Sequence, residues 1–226
     1  MSAFDKVIGY DRVKAELAVY CDCLRSPGKY KKIGASIPHG ILFEGCPGTG
    51  KTLMASCFME ESGLNGFVIR RKAANGDFLR ELEQTFSKAA ENAPSIILLD
   101  DMDKYANNDD DHKDAPEYAA IQALIDEHKD KGVFFLATVN YSGDMPDSLL
   151  RAGRFGHTFD MDNPEKEDSE KILAFYMKQK ELDGDVDIEL LARIMCGSSC
   201  AEIEEAINRA GLYAAYAGKE KYVIIN

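Results

Sequence analysis

Residues 45–52 read Gly-Cys-Pro-Gly-Thr-Gly-Lys-Thr, which fits G-x-x-x-x-G-K-[ST], a phosphate-binding loop. The chemistry needs these residue types at this spacing. Gly45, Gly48 and Gly50 let the backbone turn tightly, so that successive N–H groups converge on phosphate oxygens. Lys51 supplies a cation for the β- and γ-phosphates, and the Thr52 hydroxyl can ligate Mg²⁺. A helix opening at Lys51 points its positive end at the anion. The flanks agree: Gly40–Glu44 is a short apolar strand, and Leu53–Glu60 reads as a helix with few breakers. The candidate nucleotide contacts here are Pro47, Gly48, Thr49, Gly50, Lys51, Thr52 and Leu53.

A second group of residues suits the same chemistry. Ser95-Ile-Ile-Leu-Leu-Asp-Asp101 is an apolar strand ending in two carboxylates. At the C-terminal end of a strand beside a phosphate loop, Asp100 is placed to hold Mg²⁺ and Asp101 to polarise an attacking water. Taken alone, the same pattern is a strand ending in solvated acids. Val133–Asn140 is another apolar strand, ending in an amide that can hydrogen-bond the water or the γ-phosphate. Arg151 and Arg154 follow, three residues apart. They read either as phosphate clamps or as surface ion pairs.

The elements that must position these groups alternate. Helices are expected over 10–25, 51–61, 79–90 and 116–128, and strands over 41–43, 66–69, 95–99 and 132–137. Ser26-Pro27-Gly28 reads as the end of the first helix, and Asn107–Asp114 as an acidic loop. Strands alternating with helices imply a parallel sheet covered on both faces. After Asn163-Pro164 the pattern becomes helical only, over 166–182, 187–195 and 200–217. The expected architecture is an α/β P-loop NTPase domain over 1–163, followed by a small all-helical lid over 164–226.

Composition narrows the partners. A formal net charge of -12 makes general binding to nucleic acid or anionic membrane unfavourable. No apolar run approaches the ~20 residues of a membrane span, and no signal peptide is visible at the start. The six cysteines form no C-x-x-C pair, and the histidines complete no zinc pattern, so reduced thiols in a cytoplasmic domain are expected.

Taken in order and spacing, Gly45–Thr52, Ile96–Asp101, Ala137-Thr-Val-Asn140 and Asp147–Phe155 resemble the AAA+ ATPases. The resemblance is strongest to the ATPase module of FtsH-type membrane-anchored AAA proteases. Phe4–Gly9, Ile37–Leu42 and Gly197–Ile203 extend it over nearly the whole chain. It implies ATP or ADP with Mg²⁺ as ligands and self-association into a ring, usually a hexamer, that pulls protein substrates through a central pore. It also implies that Arg151 and Arg154 are arginine fingers reaching a neighbour's γ-phosphate, that Asn140 is a sensor, and that Ile8 and Gly9 line the adenine pocket. Any membrane attachment is expected only through segments outside this chain.

The sequence departs from that family at several points. Asp101 stands where the family has Glu, and Tyr176 where a lid histidine is usual. Cys200 and Ala201 replace the lid Gly-Ala pair, and Cys46 a loop proline. The aromatic pore loop is shortened: Arg70–Phe78 occupies its place, which leaves Phe78 as a replacement grip and Arg70, Arg71 and Lys72 as a basic collar or a solvated strand end. H-E-x-x-H is absent, so a zinc protease site of that type is not encoded. An excised module is expected, monomeric at low concentration. Two functions remain open: a ring motor that hydrolyses ATP, and an ATP-binding regulatory or scaffold module with weak or no hydrolysis.

Overall fold

The computed structural model describes residues 2–71, 78–105, 115–178, 180–184 and 186–222. Five strands, β1 (Gly40–Glu44), β2 (Asn65–Ile69), β3 (Ser95–Leu99), β4 (Val133–Val139) and β5 (Phe155–Asp160), form one sheet in the order β2-β3-β4-β1-β5. Every neighbouring pair is parallel. All C-terminal strand ends therefore lie along one edge, where ligands of open α/β sheets bind.

Alternation along the strands sorts the core into two layers. Ile97, Leu99, Phe135, Ala137 and Val139 face one side, against Leu82 and Phe86 of α4 (Phe78–Glu91) and Ile121 and Ile125 of α5 (Pro116–His128). Ile96, Leu98, Phe134 and Leu136 face the other side, against Leu17 of α1 (Asp11–Arg25) and Met54 and Phe58 of α3 (Lys51–Ser62). Burial on both faces explains why β3 and β4 read as nearly continuous apolar runs.

Three further helices, α6 (Lys166–Met177), α7 (Ile188–Ile194) and α8 (Cys200–Tyr216), share a separate cluster of Ile172, Leu173, Ala192, Ile203 and Ile207. Ser199 starts α8 with a capping box: its side chain accepts from the Glu202 N–H while Glu202 reaches back to the Ser199 N–H.

The structure departs from the sequence reading in three elements. Pro27-Gly28 opens a short helix, α2 (Pro27–Lys31), instead of only ending α1, because proline fits the first helical position. Helix α6 ends at Met177, five residues before the expected boundary at 182. The sequence reading contained no counterpart of β5, whose His157 and Thr158 interrupt its apolar pattern. The acidic loop expected over residues 107–114 lies outside the described residues.

Candidate active site

The phosphate loop runs from the end of β1 into α3. Gly50, at φ 95°, occupies the left-handed region that glycine adopts without strain. Gly48, at φ 82°, shares that conformation, and close approach adds a further requirement at Gly45 and Gly48. A Cβ on Gly45 would lie 2.1 Å from the Met161 carbonyl oxygen, and one on Gly48 would lie 2.8 Å from the Ala201 Cβ. The Ala201 N–H donates to the Gly48 carbonyl at 3.1 Å, so the loop rests on the first turn of α8.

Lys51 is buried, and its ammonium is fully engaged. It donates to the carbonyls of Gly45 (2.7 Å) and Cys46 (2.9 Å) and to Asn140 Oδ1 (3.1 Å). Burial holds its pKa below the usual lysine value, opposed by the charges of Asp101 and Asp103. Thr49 Oγ1 donates to the Cys46 carbonyl at 2.9 Å and closes the loop.

Asp100 directly follows β3 and is almost completely buried. Its Oδ1 accepts from Thr52 Oγ1 (2.8 Å) and Thr138 Oγ1 (2.7 Å), while its Oδ2 is engaged by the Arg70 guanidinium. Thr52 and Asp100 thus present adjacent hard oxygen donors, the set that Mg²⁺ prefers, so the residues fit that ion. Asp101 follows in the left-handed region at φ 54°, its N–H bound to Thr138 Oγ1 and its carboxylate to Lys104 Nζ at 2.8 Å.

Asn140 directly follows β4, beside Lys51. Its backbone N–H and its Nδ2 both donate to Asp103 Oδ2, at 3.1 and 2.8 Å. A carboxylate only accepts, so Asp103 turns the amide oxygen toward Lys51. The structure thereby brings Lys51, Thr52, Asp100 and Asn140 together, with Asp101 next to them.

Pro47 and Leu53 are exposed at the loop. Ile8 packs against the α6–α8 cluster, and Gly9 lies against Asp168 of α6. Cys200 Sγ lies 3.7 Å from the Thr49 carbonyl and 3.9 Å from Tyr10 Oη; burial raises its pKa. Tyr176 donates to Glu204 at 3.1 Å, and its phenol is pushed up to about 12, first by burial and then by that bond. Arg154 pairs with Asp126 of α5 at 2.6 Å and donates to the Ser148 carbonyl, while Arg151 is exposed.

Two expectations about the 70–78 region are corrected. Phe78 is buried edge-on against Tyr105, 4.9 Å between ring centroids, so it is a core residue and grips nothing in solvent. Arg70 binds Asp100 with its own side chain half exposed, and the largely buried Arg71 binds Glu117 (3.4 Å) and the Tyr105 carbonyl, so both charges are paired within the chain and form neither a solvated strand end nor an unpaired collar. Lys72 lies outside the described residues.

The sequence reading missed Thr138, Asp103 and the site role of Arg70. Thr138 was legible as the one hydroxyl in an otherwise apolar strand. Asp103 was legible as a third acid, two residues beyond the pair.

An all-parallel sheet with a glycine-rich loop after β1 and a carboxylate at the end of β3 defines the P-loop NTPase class. The chain belongs to the ATPase family associated with various cellular activities (AAA), whose model matches residues 41–163. The ATP-dependent zinc metalloprotease FtsH of Acidothermus cellulolyticus is 34% identical over 231 residues, covering 96% of this chain and 34% of that protein. FtsH 3 of Symbiobacterium thermophilum is 34% identical over 234 residues, with 96% and 37% covered. FtsH of Caulobacter vibrioides is 33% identical over 227 residues, with 94% and 36% covered. The chain spans about a third of the length of these curated relatives. It is an ATPase module of the FtsH type. None of the described helices is long and apolar enough to cross a membrane.

Proposed function

We infer that this chain binds ATP and ADP with Mg²⁺ at the C-terminal edge of the sheet and hydrolyses ATP. The observation that carries this reading is the convergence of Lys51, Thr52, Asp100 and Asn140 from α3, β3 and β4. Lys51 exchanges loop carbonyls for phosphate oxygens when nucleotide enters. Thr52 and Asp100 hold Mg²⁺, which when bound neutralises phosphate charge. Asp101 orients the attacking water, and Asn140, fixed by Asp103, aligns it with the γ-phosphate. Ile8, Gly9, Tyr176, Cys200 and Ala201 surround the base.

By likeness to its relatives, the module works in a ring, hexameric in the family, that remodels or unfolds protein substrates. In that assembly Arg151 and Arg154 serve a neighbour's site, and Arg154 leaves Asp126 to do so. Residues 164–226 form the lid. Where the full protein is anchored in a membrane, this module lies on the cytoplasmic side. The second reading, a slow ATP-binding scaffold, draws support from the short Asp101 side chain and its bond to Lys104.

The test is thermal stabilisation by ADP with Mg²⁺. At a hundred times Kd, binding stabilises by about 2.7 kcal/mol. Lys51→Ala should abolish the shift; a full shift in the variant refutes the site. Turnover in the wild type then separates the motor from the scaffold.

A further inference from the structure

Strands β2 and β3 pair in register, with Ile69 opposite Leu99, and the next residues across the pair are Arg70 and Asp100. The Asp100 N–H donates to the Ile69 carbonyl at 3.0 Å, which extends the ladder to this point. Both Nε and a terminal nitrogen of Arg70 reach Asp100 Oδ2, at 2.5 Å each. Oδ1 is taken by the two threonine hydroxyls. Every acceptor position of this carboxylate is therefore filled by the chain itself.

Among the described residues bonded to the Asp100 carboxylate, Arg70 alone carries a formal positive charge. Lys51 donates elsewhere, to Gly45, Cys46 and Asn140. A carboxylate with 1% of its side chain exposed needs a counter-charge, and Arg70 supplies one without any metal. The Arg70 side chain is itself 55% exposed. It can swing into solvent without opening the core. Its neighbour Arg71 is held by Glu117, the Tyr105 carbonyl and the face of the Phe78 ring, so the movement is confined to one side chain.

We propose that Arg70 is a resident cation that competes with the divalent metal for Asp100. The proposal rests on the reading above, in which Asp100 is the metal carboxylate. Entry of the metal requires Arg70 to leave, so the chain holds Mg²⁺ weakly. Its nucleotide affinity depends less on Mg²⁺ than it would with a neutral residue at position 70.

The experiment is a titration of Mn²⁺ into the protein–ADP complex, read from the loss of the free-ion EPR signal. It is paired with ADP affinities measured in Mg²⁺ and in EDTA. Arg70→Ala and Arg70→Gln both remove the charge at a half-exposed position, and circular dichroism verifies that they fold. A charge-assisted bond, discounted for exposure, corresponds to roughly tenfold in affinity. Mn²⁺ should therefore bind about tenfold tighter in both variants, and the ratio of ADP affinities with and without Mg²⁺ should rise by a similar factor. Unchanged or weaker Mn²⁺ binding in both variants, with ADP still bound in EDTA, overturns the proposal. Asp100→Asn combined with Arg70→Ala isolates the underlying reading. Loss of the Mn²⁺ site there supports Asp100 as the ligand. Retention overturns that assignment, and the competition with it.

Discussion

Asp103 offers the sharpest test of how the site is held. Its Oδ2 receives two N–H groups of Asn140, and among the described residues no other acceptor is bonded to them. Asp103→Ala removes that acceptor. Hydrogen bonds to a charged partner contribute roughly 1.5–3 kcal/mol each. Two effects reduce the sum. Asp103 is only partly buried, so water can replace some of the loss. Its Oδ1 is buried without a partner among the described residues, a penalty that alanine removes. The net cost should be about 2 kcal/mol, which in a domain of this size lowers Tm by about 4–8 °C. Asp103→Asn keeps an oxygen in place and should cost about half as much. Once the amide is free to rotate, its oxygen no longer faces Lys51, so kcat should fall while ADP affinity changes little. Scanning calorimetry, steady-state turnover and ADP titration measure the three quantities. An alanine variant within about 1 °C of wild type, with unchanged turnover, refutes the argument.

Asp101→Asn should lower kcat with ADP affinity intact, and Asp101→Glu, with its longer reach past Lys104, should run faster than wild type; a glutamate variant no faster than aspartate removes side-chain length as the cause of slow turnover. Specific activity should rise with protein concentration, since a finger acting in trans contributes ~10³–10⁵ in rate; Arg154→Ala should flatten the rise, and concentration-independent activity in the wild type excludes the trans role. Asp11 is held down to about 2 by hydrogen bonds to Lys14 and Lys171, below the ordinary 3.8, so its stabilisation is complete above the higher value and fades as pH falls to the lower. Because the side chain is largely exposed, Asp11→Asn should cost only about 0.5 kcal/mol at neutral pH, and urea unfolding should show the difference closing by about pH 2; a gap that persists there points to packing instead of charge.

The sequence made the strand ends legible because the chemistry and the burial are both local. The β3 apolar run ends at Leu99, and Asp100 begins the polar edge, so element and site were read together. Helix α5 was bounded correctly by Pro116 at its first turn. What stayed hidden depends on pairing between distant segments. Strand β5 buries only Phe155 and Phe159, and it becomes a strand through its register with β1. Arg70 looked like part of a surface run because only the β2–β3 register sets it opposite Asp100. Phe78 looked available to solvent because its partners, Tyr105 and Arg71, are distant or turned back upon it.

Gly48 carries two obligations at once. Its backbone belongs to the phosphate loop, and its bare α-carbon is the seat for Ala201 at the start of α8. A side chain at position 48 would push these surfaces apart even in the empty protein. An alanine scan would therefore record a loss of nucleotide binding at Gly48 that mixes a damaged phosphate cradle with a displaced helix. The same contact ties the phosphate loop to the base of a helix of 17 residues, so the position of the loop and the seating of that helix are set by one pair of surfaces.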